Sequence, residues 1–488
     1  MRAIGFTALA ALLLASCAAV PHDPPKVTQV ASGRVGLSTQ SASLAGDWWT
    51  AFDDPQLDRL TALALADNPS LEKALARVRA AQAEIDAEHS GLLPHVTGGG
   101  TVQYLRNSKN FIGGSSSDDN GSSGATSGGS SPSHWLGIVG ASLSWNLDLF
   151  GRQRAAVDRA RATAQAATLD AAAARLTIAT SLAETYVGLA QAKRQIEVAD
   201  GFVQTRQRAL SLIQTRIRDQ LSSRLDEETA RTLLAQAQQA KVRAGRQYEL
   251  LVHAIAALVG RGADFYPQVT QPTLVLDRPP GVPDALPADL LVRRPDLLAD
   301  QARIDATEAG RRIARAAFMP NVSISALAGF ASFGLGSLIS AASATYGGGP
   351  MLSIPIFEGG KLRAQYRGAT ADLDTAVADY DDAVLGAVRE SADAITNVRT
   401  TDTDLVQQNE VVASLRETVR LNNVRITEGL GSQLDAIDSG FRLLQGEQDL
   451  VQLQADALTR RIQLIAALGG GFDPSRPLAS APAAEPRS

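Results

Sequence analysis

The chain has 488 residues, a net charge of −5, 5% aromatic residues and a single cysteine. Without any block of basic residues, that balance excludes nucleic acid as a partner, and one thiol excludes an internal disulfide. So few aromatics, amid long stretches of Ala, Gln, Arg and Asp, suit elongated helix packing better than a thick globular core.

Arg2 precedes an apolar run over residues 4–15, which ends in Leu14-Ala15-Ser16-Cys17. A charged start, a short apolar run and small residues at its end predict a secretory signal over residues 1–16, too short to span a bilayer. The Leu-Ala-Ser-Cys ending resembles the bacterial lipobox. That resemblance implies that Cys17 is acylated, palmitate being the expected chain, and becomes the mature N-terminus. The plainer alternative is an exported protein cleaved nearby, with an incidental cysteine. Ala18 stands where an Asp would imply inner-membrane retention, which favours the outer membrane. Residues 17–54 are then a lipid-anchored N-terminal segment.

From Asp54-Pro55, a helix start, the chain states one plan twice. Repeat 1 (55–266) predicts a helix over 55–90, strands over 94–105 and 135–148, and a helical hairpin over 151–259. A Pro-rich crossover fills 267–290. Repeat 2 (291–471) predicts a helix over 295–318, strands over 320–333 and 346–357, and a hairpin over 359–468. The tail, 472–488, is rich in Pro, Ala and Ser and is expected to be disordered. Leu71, Arg77 and Ala80 match Leu297, Arg303 and Ala306, and Leu221-Ser222-Ser223 matches Leu430-Gly431-Ser432 at an offset of 209 residues. That period is too long for a solenoid, so the chain is an internal tandem repeat.

Residues 151–266 and 358–473 contain no proline and are rich in strong helix formers. Leu234, Ala237, Ala244, Tyr248, Leu251, Ile255 and Leu258 follow 3/4 spacing, broken once by Lys241, a seam for coiled-coil packing. The longer arm of the first hairpin would run about 100 Å. Between these helices the period changes to two. Val139, Ala141, Leu143, Trp145 and Leu147 alternate with Gly140, Ser142, Ser144, Asn146 and Asp148. Trp135 and Trp145 share one face, and their spacing projects to about 25 Å along a tilted strand, the apolar height of an outer-membrane barrel. They are read as membrane-interface aromatics. The Gly/Ser-rich stretch 106–133 is read as an external loop, with 334–345 as its counterpart.

No apolar run after the signal is long enough for a membrane helix, so spanning falls to strands, and strands in lipid must close into a barrel. The smallest such barrels have about eight strands, and this chain offers four. Copies must therefore combine.

The motifs Asp54-Pro55-Gln56-Leu57, Asn146-Leu147-Asp148-Leu149-Phe150-Gly151-Arg152, Arg293-Arg294-Pro295-Asp296-Leu297 and Ile354-Pro355-Ile356-Phe357-Glu358-Gly359-Gly360 resemble those of the outer-membrane efflux lipoprotein family. These TolC/OprM-like, NodT-type outer membrane factors serve tripartite pumps, and the resemblance runs from about residue 48 to 471. It implies a mixed membrane fold: a transmembrane β-barrel with four strands per chain, closed as a homotrimer, over a long α-helical coiled-coil barrel in the periplasm. It further implies a passive, gated duct for small molecules, working with a periplasmic adaptor and an inner-membrane pump of the RND type, and seated in outer-membrane lipid.

Within that family, Asp435 and Asp438 resemble an acidic ring that narrows the periplasmic entrance. Ser432-Gln433-Leu434-Asp435 also has capping-box spacing, as does Ser223-Arg224-Leu225-Asp226, so capping is the alternative for Asp435. The hairpin tips, Leu221-Ser222-Ser223 and Leu430-Gly431-Ser432, resemble adaptor-docking surfaces, against the alternative of simple tight turns. An Arg expected near the second tip is Gly431 here, leaving Arg224, Arg216 or Arg425 as substitutes. Asp372, Asp374, Asp379 and Asp381 lie at seven-residue spacings on one helix, either as a solvated face or as a tunnel lining. His22, His89, His95, His134 and His253 have no metal-ligand spacing, and no catalytic constellation, cofactor motif or nucleotide-binding loop is present, so an enzyme is not expected. Three methionines argue against a copper exporter. The alternatives for function are the exit channel of a type I protein secretion system and a trimeric structural envelope lipoprotein.

Overall fold

The computed structural model describes residues 20–21, 23–29, 46–106, 133–277, 281 and 293–473. The signal, Cys17, residues 107–132, most of the crossover and the tail from 474 lie outside the described residues. The first half holds α1 (Pro55–Asp67), α2 (Pro69–Ser90), β1 (His95–Arg106), β2 (Ser133–Leu147), α3 (Arg152–Arg218) and α4 (Arg224–Val259). The second half holds α5 (Pro295–Ala316), β3 (Asn321–Phe333), β4 (Ala344–Ser353), α6 (Lys361–Thr427) and α7 (Gln433–Ala467). The long arms α3 and α6 both have 67 residues, and the short arms α4 and α7 have 36 and 35.

Two elements depart from expectation. The helix expected over 55–90 is two helices, because Pro69 forces Asn68 into extended backbone (ψ 122°). The freed Asn68 amide donates to the Leu258 carbonyl at 2.7 Å and its oxygen accepts from Ser70 N–H at 2.8 Å, so the break is used as a joint. Strand β4 ends at Ser353 rather than at 357, since Pro355 has no N–H for the ladder.

The compact units of the chain are not its two repeats. Of the described residues, unit 1 gathers those within 1–26, 81–162 and 305–374, and unit 2 those within 27–80, 163–304 and 375–488. Each draws on both halves, as expected when duplicated elements pack against each other.

Unit 1 contains the antiparallel meander β1-β2-β3-β4. Its register places Trp145 opposite Ile324, Val139 opposite Gly100 and Phe330, and Ala328 opposite Tyr346. Directly opposed residues share a face. One face is therefore apolar across all four strands, from Val96, Val102 and Tyr104 through Trp135, Val139, Leu143 and Trp145 to Val322, Ile324, Phe330, Tyr346 and Leu352. Its members are largely uncovered: Val96 is 66% exposed, Tyr346 86% and Leu352 60%.

The strand-to-helix turn after β2 explains one of the sequence motifs. Gly151 adopts φ +75°, which folds Asp148 back over the start of α3. The Asp148 carboxylate accepts from the N–H groups of Gln153 and Arg154 at 3.0 Å each and from Arg154 Nε at 3.1 Å. Burial opposes its ionisation, but the N–H groups of Arg154 and Gln153 and then the Arg154 guanidinium outweigh that and hold it below the usual carboxylate range. A depressed carboxylate stabilises the fold above its unfolded pKa of about 3.9 and loses that contribution as pH falls through the lower folded value. Asp148→Ala is expected to cost about 1–2 kcal/mol at neutral pH. The gap between the thermal midpoints of wild type and variant should narrow as pH falls below the unfolded value of about 3.9.

Unit 2 is built on helix packing. Leu57, Leu60, Ile178, Leu182, Tyr186, Leu189, Ile255, Leu458 and Ile462 are buried together. The Asp54-Pro55-Gln56 motif grips the segment that follows α4. Asp54 caps α1 through the N–H groups of Gln56 and Leu57, and its other oxygen accepts from Thr273 N–H and Oγ1. The Gln56 amide donates to Thr270 O and Tyr186 Oη and accepts from Thr270 N–H.

Candidate functional site

The two hairpin tips are built alike and finished differently. Each long arm ends with the N–H of the exposed leucine bonded five residues back, Leu221 to Arg216 O at 2.7 Å and Leu430 to Arg425 O at 2.8 Å. Each of those arginines also turns its guanidinium onto the same leucine carbonyl, Arg216 on Leu221 and Arg425 on Leu430. Two of the three substitutes for the missing tip arginine are thus committed to their own turns. Arg224 makes no hydrogen bond or ion pair among the described residues.

The left-handed residue of the first turn is Gln220 (φ +60°), and of the second Gly429 (φ +73°). A side chain in that conformation costs about 1–2 kcal/mol, so the first turn is the strained one. It is also the better capped. Ser223 and Asp226 form a full capping box, and the backbone N–H of Ser223, followed by its hydroxyl, holds the Asp226 carboxyl below its ordinary value.

The second tip does not repeat this. Ser432 Oγ accepts from Leu434 N–H at 3.1 Å and the Asp435 carboxylate closes no box. The capping role offered for Asp435 is corrected accordingly: the serine hydroxyl is taken by the N–H one residue earlier. Asp435 makes no side-chain bond among the described residues.

Asp438 accepts from Arg442 Nε at 3.0 Å. One turn further, Phe441 meets Phe202 edge-on at 5.2 Å, and Arg206 of α3 lies 3.9 Å over its ring. Burial pulls the Arg206 guanidinium below its ordinary pKa, and Asp438 opposes that. This clasp between α3 and α7 is missing from the sequence reading, because no short-range pattern links residues more than 200 positions apart. The tip leucines are as open as expected, with Leu221 66% and Leu430 72% exposed.

On the sheet, Trp135 and Trp145 stand at opposite ends of the apolar face. Trp135 packs on Tyr104 at 5.1 Å and is half exposed, while Trp145 Nε1 donates to Leu92 O at 2.9 Å. The Asp stripe on α6 is not uniform: Asp372 and Asp379 are exposed, whereas Asp374 accepts from Lys26 N–H at 2.8 Å. Six residues after Cys17, Asp23 is held in unit 1 by Arg311, which donates to its carbonyl, and by Arg367.

Strand pairs with an uncovered apolar face, each leading into a helical hairpin with a long arm of 67 residues, define the class of outer-membrane channel-tunnels. The chain belongs to the outer membrane efflux protein family, whose model matches residues 60–261 and 286–470. It is 31% identical to the fusaric acid resistance protein FusA of Burkholderia cepacia over 74% of this chain and 68% of that relative. It is 28% identical to the multidrug resistance outer membrane protein MdtP of Escherichia coli over 94% of both. Among solved structures it matches VceC of Vibrio cholerae at 27% identity and a TM-score of 0.76, over 88% of this chain and all of that one. It also matches the outer-membrane channel OprN at 26% identity and a TM-score of 0.75, over 93% and 99%. The protein is an efflux channel of the outer membrane.

Proposed function

We propose that three copies form one gated duct, the outer-membrane exit of a tripartite system that exports small molecules such as drugs. One observation carries this reading. The four-stranded sheet presents a continuous apolar face, yet among the described residues both its edge strands, β1 and β4, lack a ladder partner on their outer side. Unpaired edges in lipid cost several kcal/mol per group, so the sheet enters a membrane only when other copies complete it. Three copies supply twelve strands, and their hairpins continue the wall as a tunnel through the periplasm. Cys17 carries the lipid anchor, and Trp135 and Trp145 mark the two faces of the bilayer.

At the periplasmic end, Asp435 and Asp438 from each copy ring the entrance. Asp435, free of local bonds, supports that role, and Arg224 is the cation available for a link to a neighbouring copy. The exposed tips dock an adaptor, and the inner-membrane pump supplies the energy. Purified protein in planar bilayers is expected to conduct ions and to cross-link as a trimer. Deleting the gene is expected to sensitise cells to toxic small molecules. A non-conducting oligomer would favour a structural envelope role.

A further inference from the structure

The face of the sheet opposite the apolar one is not uniformly polar. Near the helices it carries hydroxyl and amide groups, among them Thr97, Ser142, Ser144, Asn146, Ser323 and Ser325. Toward the β1–β2 and β3–β4 connections, three large apolar side chains stand on this same face and remain open: Ile138 is 47% exposed, Leu327 51% and Phe333 70%. Apolar groups left open on a wall that would face water mark a binding surface more often than chance placement does.

Between Ile138 and Leu327 the register aligns Gly99, Gly140 and Gly329 on adjacent strands. With no side chains there, the sheet is hollowed into a cleft of about 290 Å³. Thr97, Ile138, Ser142, Leu327, Ala331 and Thr345 line it from this face, and Val139, Ala141, Ala328 and Phe330 of the other face join the lining as their immediate chain neighbours. No ionisable residue lines it. Its hydroxyls are largely satisfied by one another, since Thr97 Oγ1 and Ser142 Oγ lie 2.8 Å apart. An uncharged site of this size, close to the lower limit of small-molecule pockets, selects a flat apolar molecule and offers a charged one nothing.

We propose that this cleft is a transit site for uncharged, flat apolar cargo, floored by Gly99, Gly140 and Gly329 and walled by Ile138, Ala331 and Leu327. The inference rests on the duct reading above, in which this face lines the lumen and three clefts ring it. Cargo then meets a station in the barrel wall rather than a smooth pipe.

The test is single-channel recording of the purified full-length protein with 2-naphthol, which is uncharged at neutral pH. Wild-type channels should show brief partial current blocks whose frequency rises with probe concentration. Ile138→Thr with Leu327→Thr keeps β-formers and should shorten the blocks about tenfold, with the probe-free conductance unchanged. Ala331→Trp fills the cleft and should abolish the blocks, which keeps the test decisive if the threonine pair does not assemble. Conducting channels whose blocks are the same in wild type and both variants, or that show none, overturn the cleft and leave the duct standing. Absence of any conductance in the wild type overturns the duct reading, and the transit site with it.

Discussion

Gly329→Ala is expected to leave the chain without its four-stranded sheet. A Cβ at Gly329 would overlap the Val139 carbonyl oxygen and lie 2.6 Å from Gly140 Cα, and one at Gly140 would lie 2.6 Å from the Ala328 carbonyl oxygen. These are backbone atoms of the neighbouring strand, so no rotamer change relieves the overlap. The ladder between β2 and β3 must open, and because that pairing joins the two repeats, the sheet divides into two hairpins. Isolated hairpins are marginal, and the cost should exceed about 4 kcal/mol. Gly347→Ala is the matched control, since nothing lies within 4 Å of its Cβ position. Heat-modifiable migration of the assembled protein on gels, together with drug resistance of complemented cells, should be lost for Gly329→Ala and kept for Gly347→Ala. Equal assembly of both variants would remove the close approach as a determinant of this sheet.

Replacing Asp435 and Asp438 together with Ala is expected to open the periplasmic entrance to current and relieve block by divalent cations. A pair of unit charges at contact distance in water is worth about 1 kcal/mol, and a divalent ion held by several carboxylates is worth more. Losing two of these per chain should weaken block about tenfold or more. The single variants should differ. Asp435 is unpaired among the described residues, so Asp435→Ala changes the field alone. Asp438 accepts from Arg442 and faces Arg206, so Asp438→Ala also frees two cations beside the Phe202–Phe441 contact. Conductance and block unchanged in the double variant would dismiss the acidic ring.

Much of the fold could be read from residue order because its signals are local. Alternation over residues 139–147 marks β2, the proline-free stretches mark the hairpins, and the 209-residue offset ties one half to the other. The helix break at Asn68 was equally local, since Pro69 announces it, but helical periodicity on both sides hid it. The site was legible only where chemistry repeats. Leu221 and Leu430 appear as paired exposed tips, whereas Arg216 and Arg425, read as substitutes for a missing tip arginine, close their own turns. The failure of Asp435 to close a box was not legible. Serine followed by an acid three residues later reads the same at both tips, and which N–H the hydroxyl takes depends on turn geometry. Long-range contacts such as Arg206 over Phe441 leave no short-range pattern.

The two open edges of the sheet also fix how copies can meet. In the proposed duct all copies share one orientation in the membrane, and because β1 and β4 run in opposite senses within the meander, the β4 edge of one copy then accepts the β1 edge of the next as an antiparallel partner. Such a head-to-tail joint is heterologous, and its geometry alone decides whether the series closes on itself or continues as a filament. Curvature then sets stoichiometry. A change that flattened the sheet while sparing its ladders would turn the proposed pore into an open-ended polymer.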